Sequence, residues 1–166
     1  SEESYKKLRN KHNVDGFHKP FTFFVPGYNL RSTDLQAFLG IRQVEKAGWA
    51  ARRRNENHVL YGSILEGAVG FQQWGDNVPV SISFGALARD SEHRREIVSR
   101  LVENGVETRI FSAGNLGLHP FWTELYGRFD DEISNKIHAC GFFLPNYPEL
   151  TVDEINHICN IVKNDI

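Results

Sequence analysis

The order in which residue periodicities follow one another after position 79 is the strongest constraint this chain places on its fold. PVSISFGAL (79–87) alternates apolar and small residues with period two, as a half-buried strand does. SEHRREIVSRLVENG (91–105) then switches to helical spacing, with a serine to cap its start and a glycine to stop it. ETRIF (107–111) predicts a short strand, Ser112 to about Asp130 an irregular segment, and KIHACGFFLP (136–145) another strand. LTVDEINHICNIVKN (150–164) closes the chain as a helix in which Thr151 and Glu154 match a capping box. The sequence strand, helix, strand, strand, helix predicts an α+β unit: a small, largely antiparallel sheet with both helices on one face.

Upstream the pattern is different. Residues 1–20 are polar and predict a short helical or irregular lead-in, and FTFFV (21–25) predicts a strand stopped by Pro26-Gly27. In GYNLRSTDLQAFLG (27–40) a turn-prone segment runs into Ser32 and Thr33, either of which suits the orphan N–H groups of a helix start. Leu35, Phe38, Leu39, Ile41 and Val44 then recur at helical spacing, predicting a long helix to about Leu65 with Gly48 as its one weak point. The 166-residue chain carries no methionine, even at position 1, and its start is read as trimmed or as that of a fragment.

Composition excludes several classes. Nineteen basic against 21 acidic side chains give a formal charge of -2, which argues against nucleic acid as a partner. No apolar run approaches the ~18 residues that span a bilayer, so a cytoplasmic protein without membrane contact is expected. Cys140 and Cys159, placed in a strand and a helix, have neither metal spacing nor a disulfide framework and read as reduced, buried thiols.

The search for chemistry leaves two polar places. The seven histidines do not form a helical metal pair, so no metal is expected. His58 and His93 sit in charged helical stretches and read as surface residues, as does the run Arg52-Arg53-Arg54. Gly114-Asn115-Leu116-Gly117 lacks the strand-to-helix setting of a dinucleotide loop, and no serine or cysteine carries a nucleophile signature. What remains is the polar helix start at Gly27–Arg31 and the polar loop from Glu107 to Pro120. Taken alone, the first is an Asx-turn beside an exposed arginine. In the second, a strand-edge salt bridge at Arg109 and a loop-packing role for His119 stand beside any binding role.

Three motifs carry a resemblance. GYNLRSTDLQAFLGIRQVEK, GVETRIF and GFFLPNYPELTVDEI are similar, in order and spacing, to segments of the DegT/DnrJ/EryC1/StrS family of pyridoxal-phosphate-dependent nucleotide-sugar aminotransferases and dehydratases. The resemblance implies the C-terminal part of a fold type I enzyme. Residues 1–31 would be a remnant of the large cofactor domain, 32–66 the connecting helix, and 67–166 the small α+β domain. It further implies a homodimer in which Asn29 reaches the phosphate of the partner subunit's cofactor. Arg31, Arg109, Asn115 and His119 would then contact the nucleotide sugar, and glutamate would donate the amino group. The catalytic lysine, or the histidine that replaces it in the dehydratases, would lie upstream, leaving no catalytic residue here and an isolated chain without activity. The implied role is aminotransfer to a nucleotide-linked keto-deoxy sugar for surface polysaccharide synthesis. Ala113-Gly114-Asn115-Leu116 departs from the aminotransferase pattern toward the dehydratases, so dehydration is the alternative. A non-catalytic oligomerisation or binding module is the alternative from another class.

Overall fold

A computed structural model of the chain describes residues 2–12, 32–111 and 114–164. The chain divides into two compact units, Ser1–Ile41 and Arg42–Ile166. In the first, helix α1 (Glu2–Lys11) buries no side chain and carries an exposed Lys7–Glu3 ion pair, of a kind that adds little stability. Helix α2 (Asp34–Leu65) starts in this unit and runs unbroken through Gly48. Thr33 caps it reciprocally: its hydroxyl accepts the Gln36 N–H at 3.3 Å while its own N–H donates to Gln36 Oε1 at 2.9 Å. Leu35, Phe38, Leu39, Ile41 and Val44 are exposed.

The second unit is the α+β sandwich. Strands β1 (Gly70–Phe71), β2 (Ser83–Leu87), β3 (Arg109–Ile110) and β4 (Gly141–Pro145) form one antiparallel sheet in the order β1-β2-β4-β3. The pairings Phe84↔Leu144 and Ala86↔Phe142 put four buried side chains on one face. Against that face lie Ile97 and Leu101 of helix α3 (Ser91–Glu103) and Ile155, Ile158, Cys159, Ile161 and Val162 of helix α6 (Val152–Lys163). Tyr61 and Leu65 from the end of α2 join them. Each fully buried aliphatic side chain contributes about 1.5–3 kcal/mol relative to exposure, which is why α3 and α6 share this face. The capping box foreseen at Thr151 and Glu154 is present, and its hydrogen bonds hold the Glu154 carboxyl below its ordinary range.

Several sequence expectations are corrected. β2 is shorter than 79–87, and β3 keeps only two residues of 107–111. The segment read as a strand over 136–145 divides at Gly141: its first half ends helix α5 (Glu132–Cys140), so Cys140 closes a helix rather than lying in a strand. The physical reason is a cap, because Asp131 accepts the Ser134 N–H at 2.7 Å, a bond that also holds the Asp131 carboxyl low. The irregular stretch contains a 3-10 turn (Leu116–Leu118) and helix α4 (Pro120–Tyr126), whose proline stands in the first turn. Both cysteines are free and buried.

The surface reading also fails for His58 and, within the arginine run, for Arg53, while Arg52 is exposed as expected. His58 is 6% exposed, and Asn57, His58, Tyr61 and Leu65 form the buried stripe of α2. Arg53 donates from Nε to the Pro148 carbonyl at 3.3 Å and from Nη2 to the Leu150 carbonyl at 2.9 Å, tying α2 to the chain entering α6. His93 is half-buried, and its Nδ1 accepts the Arg89 N–H at 3.3 Å.

Candidate functional site

The second face of the sheet is built to be partly open. Strand alternation sends Ser83, Gly85 and Leu87 of β2 and Phe143 and Pro145 of β4 away from the core. Gly85 is paired with Phe143, and the Phe111 ring stacks on Phe143 with centroids 4.6 Å apart and planes 28° apart. This stack needs the glycine. A Cβ on Gly85 would lie 2.5 Å from Phe111 Cε2, and one on Gly141 would lie 2.7 Å from Phe111 Cβ.

Two clefts open on this face, and Ile82, Ser83 and Phe143 line both. The larger, about 630 Å³, is bounded by Thr108, Arg109 and Tyr147. The smaller, about 420 Å³, is bounded by His58, Trp74 and Phe111. Apolar walls with a few convergent polar groups are the common form of a small-molecule site. Thr108 fixes the floor of the larger cleft by donating its hydroxyl to the Phe143 carbonyl at 2.8 Å.

Arg109 is the cation of the larger cleft, at the exposed edge strand. Its Nη2 and Nε both donate to Glu107 Oε1, at 2.8 and 3.1 Å, and both side chains are largely solvated. The strand-edge salt bridge weighed from the sequence is therefore real. It occupies two of the five guanidinium N–H groups and leaves three to fork an anion. An anion there also meets the Glu107 carboxylate, which opposes it.

Asn115 is 4% exposed, and its carboxamide is engaged by its own loop and by α5. Oδ1 accepts the Gly117 N–H at 2.9 Å, while Nδ2 donates to Asn135 Oδ1 at 2.8 Å and to the Phe129 carbonyl at 3.3 Å. The Asn115 backbone N–H donates to His138 Nδ1 at 3.2 Å, and Gly114 takes a positive φ of 65° against that ring. The loop is thereby fastened to α5. His119 is half-buried and precedes α4, where its carbonyl accepts from Trp122 and Thr123. Neither Asn115 nor His119 is among the described residues lining the two clefts. Asn29 and Arg31 lie outside the described residues.

Sequence reasoning missed His58, Trp74, Phe111 and Phe143. The spacing of His58, Tyr61 and Leu65 marks one helical stripe and was the available signal for the first. Burial drives the His58 pKa below its ordinary 6.5 and pushes the Cys159 thiol up to about 12. Among the described residues no group of three or more His, Cys, Asp or Glu side chains is placed to hold a metal ion. None of the described helices is long and apolar enough to cross a membrane.

Comparisons with known proteins agree with this architecture. The chain is 23% identical over 175 residues to a GDP-4-keto-6-deoxy-D-mannose 3-dehydratase from Yersinia pseudotuberculosis, covering 96% of the chain and 42% of that protein. It is 27% identical over 162 residues to a GDP-perosamine synthase from Vibrio cholerae, covering 95% of the chain and 43% of that protein. It superposes with a TM-score of 0.72 and 21% identity on a crystal structure of GDP-4-keto-6-deoxymannose-3-dehydratase with a trapped PLP-glutamate geminal diamine, over 90% of the chain and 40% of that one. The fold is thus that of part of those enzymes. The chain spans about two-fifths of the length of the two curated relatives. The model of the DegT/DnrJ/EryC1/StrS aminotransferase family matches residues 1–163, and the chain belongs to that family.

Proposed function

We propose that the chain is the C-terminal portion of a pyridoxal-phosphate-dependent enzyme acting on a nucleotide-linked keto-deoxy sugar in cytoplasmic surface-polysaccharide synthesis. The observation that carries this reading is the family match over residues 1–163, together with curated relatives named for GDP-linked sugars. In this assignment residues 1–31 belong to the large cofactor domain, 32–66 to the connecting helix and 67–166 to the small domain. Pyridoxal phosphate, when bound, supplies the electron sink that stabilises a carbanion next to the reacting nitrogen.

The described residues fit the sugar-nucleotide side of such a site rather than the cofactor itself. No lysine is among the described residues lining either cleft. The three remaining N–H groups of Arg109 suit pyrophosphate oxygens, and the aromatic stack of Phe111 and Phe143 gives the cleft a rigid wall. Asn115 holds the loop leading to His119, and His119 bears on the substrate through that loop. Arg31 contributes a second forked cation. Asn29 acts across a homodimer on the phosphate of the partner subunit's cofactor, where side-chain N–H donors beside a helix start favour an anion.

The reaction is aminotransfer from glutamate. Dehydration is the second reading, favoured by the dehydratase that matches 96% of the chain and by the Ala113–Leu116 loop. The isolated 166-residue chain has no turnover of its own. The test uses the whole protein encoded with its upstream segment. Mixing Asn29→Ala subunits with subunits lacking the catalytic lysine or histidine restores activity, because one hybrid site then holds both intact groups. Mixed dimers that stay inactive, with subunit exchange shown independently, refute the assignment of Asn29 across the interface.

A further inference from the structure

The connection between β1 and β2 forms one wall of the smaller cleft, and a single side chain anchors its tip. From Gln72 to Val78 every residue is exposed except Trp74, which is half-buried. Gly75 takes a positive φ of 55°, and Asn77 closes the turn by donating both its backbone N–H and Nδ2 to the Trp74 carbonyl, at 3.0 and 3.1 Å. The indole N–H of Trp74 leaves the connection altogether and donates to His58 Nε2 on α2 at 2.7 Å. The rings meet edge to face, 5.3 Å apart, and His58 also lies 4.7 Å from the Phe84 ring of the core.

We propose that His58 and Trp74 form a proton-operated latch that holds the 72–78 connection over the smaller cleft and releases it on acidification. The geometry allows only neutral His58. With Nε2 accepting, the proton resides on Nδ1, which is buried and has no hydrogen-bond partner among the described residues. A second proton would have to go on Nε2, setting two N–H donors against each other across 2.7 Å. Opening the latch turns the imidazolium to water and frees Trp74.

Among the described residues no neighbouring charge reverses this direction. On α2 the nearest titratable side chains are Arg54, one turn before His58, and Tyr61, one turn after, whose burial keeps the phenol protonated. The 72–82 connection offers Asp76 alone, and β1 and β2 contain no titratable side chain. Burial lowers the His58 pKa, and the Trp74 N–H bonded to Nε2 acts in the same direction, because only the neutral ring can accept it. The folded-state value lies below the ordinary 6.5, so the closed state is fully favoured above about pH 6.5 and loses ground as pH falls through the lowered value.

The test follows the Trp74 indole N–H and the His58 ring by NMR on the intact chain from about pH 8 to about pH 5, with Trp49→Phe and Trp122→Phe assigning the indole signals. The latch predicts that the Trp74 signal shifts or broadens with the midpoint of His58, below 6.5, while far-UV circular dichroism is unchanged. Trp74→Phe removes the donor that stabilises neutral His58, so the His58 midpoint rises toward 6.5. His58→Gln removes the pH response of Trp74, and the Trp74→Phe measurement stands independently if that variant does not fold. A pH-invariant Trp74 signal, a His58 midpoint unmoved by Trp74→Phe, or a change coincident with global unfolding overturns the proposal.

Discussion

Truncating Asn115 to alanine tests how the loop between β3 and α5 is held. The carboxamide makes three bonds, to the Gly117 N–H, to Asn135 Oδ1 and to the Phe129 carbonyl. Gly117 is buried, so losing Oδ1 leaves its N–H without acceptor or solvent, at a cost of about 1–3 kcal/mol. Asn135 is half-buried and Phe129 exposed, so water takes over those two bonds at a cost of about 0–1 kcal/mol together. The expected loss is therefore about 1–4 kcal/mol, within the range of a broken buried network. Urea unfolding reads it as a lower midpoint at unchanged slope, and hydrogen exchange at the Gly117 amide accelerates. Asn115→Asp keeps the Gly117 bond but aims a carboxylate at two oxygens, so it destabilises while Gly117 stays protected. A loss under about 0.5 kcal/mol with unaltered Gly117 exchange in Asn115→Ala refutes the reasoning.

Gly141→Ala is expected to cost on the order of 2–3 kcal/mol by denaturant unfolding, because its Cβ would stand 2.5 Å from the Ile137 carbonyl at a helix-to-strand junction that has no slack. Gly40→Ala, which meets nothing within 4 Å among the described residues, is the control and gains about 0.5–1 kcal/mol. Cys159, fully buried with its pKa pushed up to about 12, is expected to resist thiol reagents at neutral pH until the protein unfolds. Labelling at a rate independent of denaturant contradicts this. In the whole protein, Arg109→Lys keeps the charge and loses the fork, so KM for the nucleotide sugar rises by about tenfold with kcat little changed. An unchanged KM removes Arg109 from the site.

Local rules carried the fold where a segment's periodicity had one reading. The alternation around Phe84 and Ala86 placed β2, and the Thr151–Glu154 box placed the start of α6. The boundary at Gly141 was missed because Ile137, Ala139 and Cys140 fit a strand as well as a helix when Asp131 is not read as a cap. The candidate site was less legible, since its determinants are contacts between distant residues. Arg53 looks like one of three surface arginines until the carbonyls of Pro148 and Leu150 arrive beside it. No local pattern announces that the Asn115 carboxamide donates to Asn135 and to the Phe129 carbonyl, 20 and 14 residues away. His58 was legible as part of a buried stripe, but its partner Trp74 lies across a turn that no local pattern predicts.

The central claim is that this chain works as part of a pyridoxal-phosphate-dependent enzyme on a nucleotide-linked keto-deoxy sugar. Its most direct test is product analysis by mass spectrometry with the whole protein, including its upstream segment, given pyridoxal phosphate, glutamate and a GDP-linked 4-keto-6-deoxy sugar. The account predicts a glutamate-dependent product with an amino group in place of the keto oxygen. A product that keeps the keto group and lacks a hydroxyl moves the reaction to the dehydratases. Substrate returned unchanged by a folded protein that does not retain pyridoxal phosphate contradicts the claim.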